Sequence, residues 1–150
     1  MPKSKIKLNA GFTLLETVIA LAIVVILVGL YPFLNIDELI SRNFESNISS
    51  AVTSIIRARS ESINNIGNSP HGFKIIPGSY IIFEGQDYVS RNLSKDKVIP
   101  QGSNDLVFSG IDEIVFSQLS GDSTASDSFT ITRGTKMATI HINYEGRIDW

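Results

Sequence analysis

The chain has 150 residues, 43% hydrophobic and 19% charged, which suffices for one modest domain and one additional element. Its formal net charge of −2 excludes a globally basic surface for nucleic acid. The absence of cysteine excludes a disulfide scaffold and a cysteine nucleophile, and two histidines are too few for most zinc or iron sites. The charge is segregated, because residues 1–11 contain three lysines and no acid, so residues 12–150 have a balance of −5.

Residues 12–34 form an apolar run of 23 residues in which Glu16 is the only charge. A helix of this length spans about 34 Å, which is enough to cross the core of a bilayer. The preceding lysines would stay in the cytoplasm, which places the C-terminal part on the other side of the membrane. A cleavable secretory signal is disfavoured because the run is long and no small-x-small site follows it. A simple signal-anchor helix remains an alternative.

Glu16 is difficult to explain in a simple anchor. A carboxylate in a membrane-spanning helix costs a few kcal/mol unless it has a partner, so it indicates a function. If the chain is cut between Gly11 and Phe12, a new amino group lies four residues before Glu16, one helical turn away. An amine and a carboxylate on neighbouring helices would then neutralise each other.

The ten residues 7–16, KLNAGFTLLE, together with the apolar run resemble the processing signal of type IV pilins and type II secretion pseudopilins. The resemblance implies that a prepilin peptidase cuts after Gly11 on the cytoplasmic side and then N-methylates Phe12. It also implies that Glu16 recruits and registers each subunit by pairing with the Phe12 amine of a neighbour. The leader that is removed would contain the basic residues Lys3, Lys5 and Lys7.

Pro32 and the nearby Gly29 indicate a break near the end of this helix. Two interpretations stay open: a kink that loosens on assembly, or the end of one helix before another. An amphipathic helix is predicted beyond the break, with a stop at residues 66–70. Its apolar stripe consists of Ile36, Leu39, Ile40, Phe44, Ile48, Ala51, Val52, Ile55, Ile56 and Ile63.

Arg57 and Glu61 are four residues apart on this helix, and we interpret them as a weak pair on a solvated face. The stretch around Arg59, of the form A-R-x-E, resembles the H-type minor pseudopilins.

The second half of the chain predicts short strands separated by turn residues. The predicted strands are Gly72–Ile76, Tyr80–Glu84, Leu106–Ser109, Ile114–Ser117, Ser128–Arg133 and Lys136–Tyr144. Apolar and polar residues alternate around His141, which predicts that Ile140 and Ile142 point inward and His141 points outward. His71 is predicted to lie in a loop and is assigned no role. Residues 120–128 are predicted to be an exposed loop.

No nucleotide-binding or zinc-protease motif occurs in this half. Asp122 and Asp127 are too few and too irregularly spaced for a calcium site, so we interpret them as solvated. The strand sequences also resemble the β head of H-type minor pseudopilins, with Gly146 closing a tight turn between the last two strands. Arg147 and Trp150 are predicted to be structural ends.

These patterns and the resemblance predict an α+β protein of the pilin fold: a long N-terminal helix, membrane-spanning in its first half, packed against a C-terminal antiparallel β-rich head. The predicted divisions are a leader at 1–11, a membrane and filament-core helix at 12–34, an amphipathic continuation at 35–67 and the head at 71–150.

The predicted function is that of a structural subunit of a type IV pilus or a type II secretion pseudopilus, without enzymatic activity, metal or cofactor. The expected partners are other subunits, prepilin peptidase, the inner-membrane assembly platform and, before assembly, lipid. The head would be extracytoplasmic, on a subunit anchored in the bacterial inner membrane. The alternative is a membrane-anchored extracytoplasmic binding domain that does not assemble. Pilus and pseudopilus, and major and minor subunit, are not distinguished.

Overall fold

The computed structural model describes residues 12–30 and 36–150. The chain divides into two compact units, one within residues 1–38 and one comprising residues 39–150. Helix α1 spans Leu14–Leu30 in the first unit, and helix α2 spans Ile36–Ile63. Predictions that fall on residues 1–11 and 31–35, among them Lys3, Lys5, Lys7, Gly11 and Pro32, lie outside the described residues.

Helix α2 buries an apolar stripe, as its sequence period predicts, and the stripe continues to the small residue Ala58. The prediction was wrong for Ile56 and Ile63, which are exposed. These two residues are seven apart and share a face of the helix that is rotated by about 100° from the buried Ile55. The buried stripe residues are Phe44, Ile48, Ala51, Val52 and Ile55.

Within residues 36–150, eight antiparallel strands form two four-stranded sheets. The first sheet has the order β3-β2-β1-β5, with β1 at His71–Ile76, β2 at Ser79–Glu84, β3 at Lys97–Pro100 and β5 at Glu113–Phe116. The second sheet has the order β4-β6-β7-β8, with β4 at Val107–Gly110, β6 at Asp127–Arg133, β7 at Lys136–Ile142 and β8 at Ile148–Asp149.

One hydrophobic core joins α2 to both sheets. It contains Ile55 of α2, Phe73 and Phe116 of the first sheet, and Phe129 and Ile140 of the second sheet, all of them buried. Phe73 and Phe129 stack with their ring centroids 6.1 Å apart, which links the two sheets directly. A head in which both sheets and a helix share one core confirms the predicted α+β class.

The structure contains all six predicted strands, with ends shifted by one or two residues, and the short strand β8 that was expected after the Gly146 turn. One strand of the described residues, β3, was not predicted. Strand β3 escaped prediction because it is only four residues long and ends in Pro100, a residue that central strands avoid. Strand β8 has only two residues. The tight turn predicted at Gly146 is confirmed: its φ is +72° and its N–H donates to Asn143 O at 2.9 Å.

Two predictions for the head were wrong. His71 lies not in a loop but at the start of β1, where it is buried opposite Glu84 and Phe116. The segment 120–128 is not uniformly exposed, because Ser123 is buried and pairs with Phe116 as an isolated β-bridge. Ser123 N–H also donates to Tyr144 O at 2.9 Å, so the segment is joined to the last turn of the chain.

Candidate functional site

Phe12, the predicted methylation residue, lies outside regular structure. Phe12 is 81% exposed and precedes α1, which begins only at Leu14. Glu16 N–H donates to Thr13 Oγ1 at 3.2 Å, so Thr13 is the N-cap residue of the helix. The cap fixes the start of α1 two residues after Phe12 and leaves Phe12 accessible.

Glu16 lies in the first turn of α1, where its negative charge interacts favourably with the positive end of the helix dipole. Thr13 and Glu16 have the spacing of a capping box. Within the described part of the chain, however, the Glu16 carboxylate accepts no hydrogen bond and forms no ion pair. This carboxylate is therefore available to a partner that the described residues do not supply.

Helix α1 consists almost entirely of apolar residues, and none of its residues is buried. Gly29 lies within α1, which continues through it to Leu30. Among residues 12–30 and 36–150, no helix meets the length and apolarity needed to cross a membrane, and α1 has 17 residues.

A second candidate site lies in the head, where a helix and three neighbouring strands bring charged residues together. Glu61 of α2 lies beside His71 of β1 and Lys97 of β3, and Glu84 of β2 pairs with His71 across the sheet. Lys97 Nζ donates to Glu61 Oε1 at 2.5 Å, and Arg57 Nε donates to the same oxygen at 3.0 Å. We call Glu61, His71, Glu84 and Lys97 the junction cluster.

The junction cluster corrects the interpretation of Glu61 as half of a solvated surface pair. The Arg57–Glu61 pair is present, but the Glu61 side chain is only 13% exposed and that of His71 only 4%. His71 Nε2 lies 3.8 Å from Glu61 Oε2, and neither this oxygen nor His71 Nδ1 has a hydrogen-bond partner within the described residues. The cluster thus contains two buried polar atoms whose hydrogen-bonding capacity is unused.

The electrostatics of the cluster favour an ionised Glu61 and a neutral His71. Burial alone would raise the pKa of Glu61, but the hydrogen bonds from Lys97 and Arg57 outweigh it and lower the pKa below the usual value. Burial lowers the pKa of His71, and the opposing attraction of Glu61 and Glu84 does not fully compensate. A cavity of about 410 Å³ adjoins the cluster.

The junction cluster does not form a metal centre. Across the described residues, no group of three or more histidine, aspartate or glutamate side chains has a geometry that could hold a metal ion. The two exposed acids Asp122 and Asp127 are among the residues so tested. Lys97 occupies one oxygen of Glu61, which further disfavours a cation there.

Arg59 is a structural residue that the sequence did not reveal. Its Nε donates to Gly121 O and its Nη2 to Glu145 O, each at 3.0 Å. Gly146 packs so closely that a Cβ there would overlap both Gly121 O and the Arg59 side chain. No sequence signal could have identified this contact, because backbone carbonyls of distant turns accept both hydrogen bonds.

His141 is exposed, whereas Ile140 and Ile142 are buried, which confirms their predicted orientation. Nothing in the described residues gives His141 a role in either site.

Comparison with known proteins identifies the N-terminal segment. A family model described as the prokaryotic N-terminal methylation motif matches residues 6–31, which include Gly11, Phe12 and Glu16. The chain therefore carries this motif, in agreement with the predicted resemblance to type IV pilins and pseudopilins. No curated protein and no solved structure matches the chain significantly, and the narrower H-type resemblance is not confirmed.

Proposed function

We propose that the chain is the precursor of a structural subunit, a pilin or minor pseudopilin, of a type IV pilus or a type II secretion pseudopilus. The match of residues 6–31 to the prokaryotic N-terminal methylation motif carries this proposal. In this function the chain is cut after Gly11, methylated at the Phe12 amine and assembled through its N-terminal helix. It binds other subunits and catalyses no reaction of its own.

The start of α1 supports cleavage between Gly11 and Phe12. A peptidase binds its substrate in an extended conformation, so a cleavage site inside a stable helix would first have to unwind. Phe12 precedes the helix and is exposed, and the Thr13 cap keeps the helix from extending over it. The absence of a Cβ at Gly11 would allow the peptidase to approach the backbone closely.

The surface of α1 supports assembly through the helix. Its apolar side chains are exposed, and each one removed from water contributes about 25 cal/mol per Å² of buried area. Lipid covers this surface before assembly, and helices of neighbouring subunits cover it in the filament. Glu16 then pairs with the Phe12 amine of a neighbour, because both charges leave water and each needs a counter-charge.

The proposed topology follows from the charge distribution of the sequence. Residues 12–34 form the membrane helix, the basic leader with Lys3, Lys5 and Lys7 stays in the cytoplasm, and the head at 71–150 is extracytoplasmic. The amphipathic part of the chain is helix α2, which ends at Ile63. Prepilin peptidase and the inner-membrane assembly platform are the expected partners besides other subunits.

The experiment that tests the proposal is processing of the Gly11→Ala variant by a co-expressed prepilin peptidase. A Cβ at the residue before the cut obstructs the peptidase, so we expect the variant to accumulate as full-length precursor on an immunoblot. Gly29→Ala is the matched control, because a Cβ at Gly29 has open space within α1 and should leave processing unchanged. Precursor accumulation in both variants, or in neither, would contradict the proposed cleavage site.

A further inference from the structure

The cavity beside the junction cluster has unused hydrogen-bonding groups in its lining. Its volume of about 410 Å³ lies within the range of roughly 300–1,000 Å³ that is typical of small-molecule sites. His71 lines it with a side chain that is only 4% exposed, and Nδ1 of this side chain has no hydrogen-bond partner among the described residues. The buried Oε2 of Glu61, which also lines the cavity, has none there either. Buried polar atoms are normally hydrogen-bonded, so these two atoms indicate a ligand that completes them.

The pairing of β1 with β2 brings Glu84 to the same cavity. Glu84 is the cross-strand partner of His71, and directly opposite residues of an antiparallel pair point to the same face of a sheet. The Glu84 carboxylate lies over Gly67, where an added Cβ would be 2.5 Å from its Oε2. Within the part of the chain that the structure describes, no hydrogen bond or ion pair involves this carboxylate. The cavity therefore has two carboxylates with free oxygen atoms, one of them buried.

Two lysines also line the cavity, and they differ in their partners. Lys97 Nζ donates to Glu61 Oε1 at 2.5 Å, so its charge is balanced within the cluster. Lys95 is exposed and forms no ion pair with any described residue, although Glu84 lines the same cavity. Glu84 and Lys95 thus have opposite charges that do not neutralise each other directly. Because the lining contains two acids and two lysines, its formal charges cancel, which favours a ligand that carries both signs and no net charge.

We propose that this cavity binds a small zwitterion, a molecule with a primary ammonium group and a carboxylate, such as a free amino acid. The ammonium group has three N–H donors and donates to Glu61 Oε2 and to the Glu84 carboxylate, while the ligand carboxylate pairs with Lys95. Ile66 and Ile82 contact the carbon chain between the two groups. This inference goes beyond the proposed function, because it concerns the head and does not require N-terminal processing.

Other ligand classes fit this lining less well. A simple anion would lie beside the unpaired oxygen of Glu61, which would repel it. A ligand with only an ammonium group would leave Lys95 without a counter-charge. A metal ion would need more ligating side chains than the described residues bring together here. Lys97 occupies the other oxygen of Glu61, so the ammonium group depends on Glu84 for its additional counter-charge.

Isothermal titration calorimetry of the full-length protein in non-ionic detergent, in a buffer free of amines and carboxylates, tests the proposal. The probes are glycine, β-alanine and γ-aminobutyrate, three zwitterions of increasing length. Butylamine and butyrate are the matched molecules with only one of the two charged groups. We expect at least one zwitterion to bind at least about tenfold more tightly than either of these, because it forms charge-assisted hydrogen bonds at both ends.

Variants of the lining test whether the zwitterion binds in this cavity. Glu84→Gln removes the counter-charge of the ammonium group and Lys95→Gln that of the carboxylate, so each should weaken binding at least about tenfold. Neither side chain has an ion pair to lose within the described residues, so both variants should fold. Glu45→Gln is the matched control, because Glu45 is an exposed acid of α2 outside the cavity lining. It should leave the affinity unchanged.

Three results would overturn the proposal. The first is the absence of binding by every zwitterion. The second is an equal affinity for γ-aminobutyrate and butylamine, which would show that the carboxylate is not recognised. The third is an equal effect of Glu84→Gln and Glu45→Gln on the affinity, which would show that the ligand binds outside this cavity.

Discussion

Helix α1 and the head differ in the exposure of their apolar residues. Every residue of α1 is exposed, from Leu14 to Leu30. In the head, by contrast, the apolar face of α2 is buried in a core that it shares with both sheets. The head therefore satisfies its apolar surface within one chain. In the proposed function, the exposed surface of α1 is covered first by lipid and then by another subunit. A substitution in α1 should therefore affect assembly, and a substitution in the core of the head should affect folding.

The largest expected effect on function is the loss of assembly, and it comes from Glu16. The Glu16→Val variant should be processed normally but should fail to enter filaments, because the Phe12 amine of its neighbour would lose its counter-charge. Breaking such a pair in a low-dielectric environment costs about 3 kcal/mol, or roughly a 100-fold loss of incorporation. Quantification of the subunit in sheared filaments measures it. Glu45→Val, at an exposed acid of α2, is the control and should retain incorporation.

The second prediction contrasts the two regions in folding stability. Phe116→Ala should lower the free energy of unfolding of the head by about 3–5 kcal/mol, because Phe116 is completely buried and its removal leaves a cavity. Ile23→Ala in α1 should leave that free energy unchanged, since Ile23 is exposed. Urea unfolding of both full-length variants in detergent measures the difference. A comparable loss in both variants would show that α1 contributes to the stability of the head.

The third prediction concerns two arginines that lie two residues apart on α2. Arg59→Met should destabilise the head by about 1–3 kcal/mol, because two backbone carbonyls lose a charged donor. Arg57→Met should cost less than about 1 kcal/mol, because its side chain is largely exposed and its ion pair with Glu61 is partly screened. The same unfolding measurement compares them. Equal losses would contradict the structural role of Arg59.

The smallest expected effect is a dependence of head stability on pH. His71 has a lowered pKa because it is buried, so the unfolded chain takes up a proton more readily than the folded head. The resulting stabilisation is complete above the ordinary histidine pKa of 6.5 and is lost as the pH falls through the folded value. Glu61 acts in the same direction below its ordinary pKa of 4.5, since its folded pKa is also lowered.

Unfolding free energies measured between pH 7.5 and pH 5 test this dependence. His71→Gln should flatten the decline in this range. His141→Gln should leave the decline unchanged, because His141 is exposed on β7. An equal slope in wild type and His71→Gln would exclude the junction cluster as its cause.

The two regions also differ in what their sequences disclose. The function proposed for the N-terminal segment depends on a few residues in a fixed order, Gly11, Phe12 and Glu16, and a motif of this kind can be recognised from sequence alone. In the head, period and turn residues predicted six strands and the buried face of α2. The predictions failed where tertiary contacts determine the environment of a residue. His71 faces Glu61, which is ten residues away, and Arg59 donates hydrogen bonds to carbonyls in distant turns. Local sequence patterns do not identify such contact partners.

Mass spectrometry of the N-terminus of the mature protein tests the central claim most directly. Protein isolated from cells with an active prepilin peptidase should begin at Phe12 and should contain one additional methyl group on the Phe12 amine. A chain that begins at Met1, or one that begins at Phe12 without the methyl group, would contradict the account.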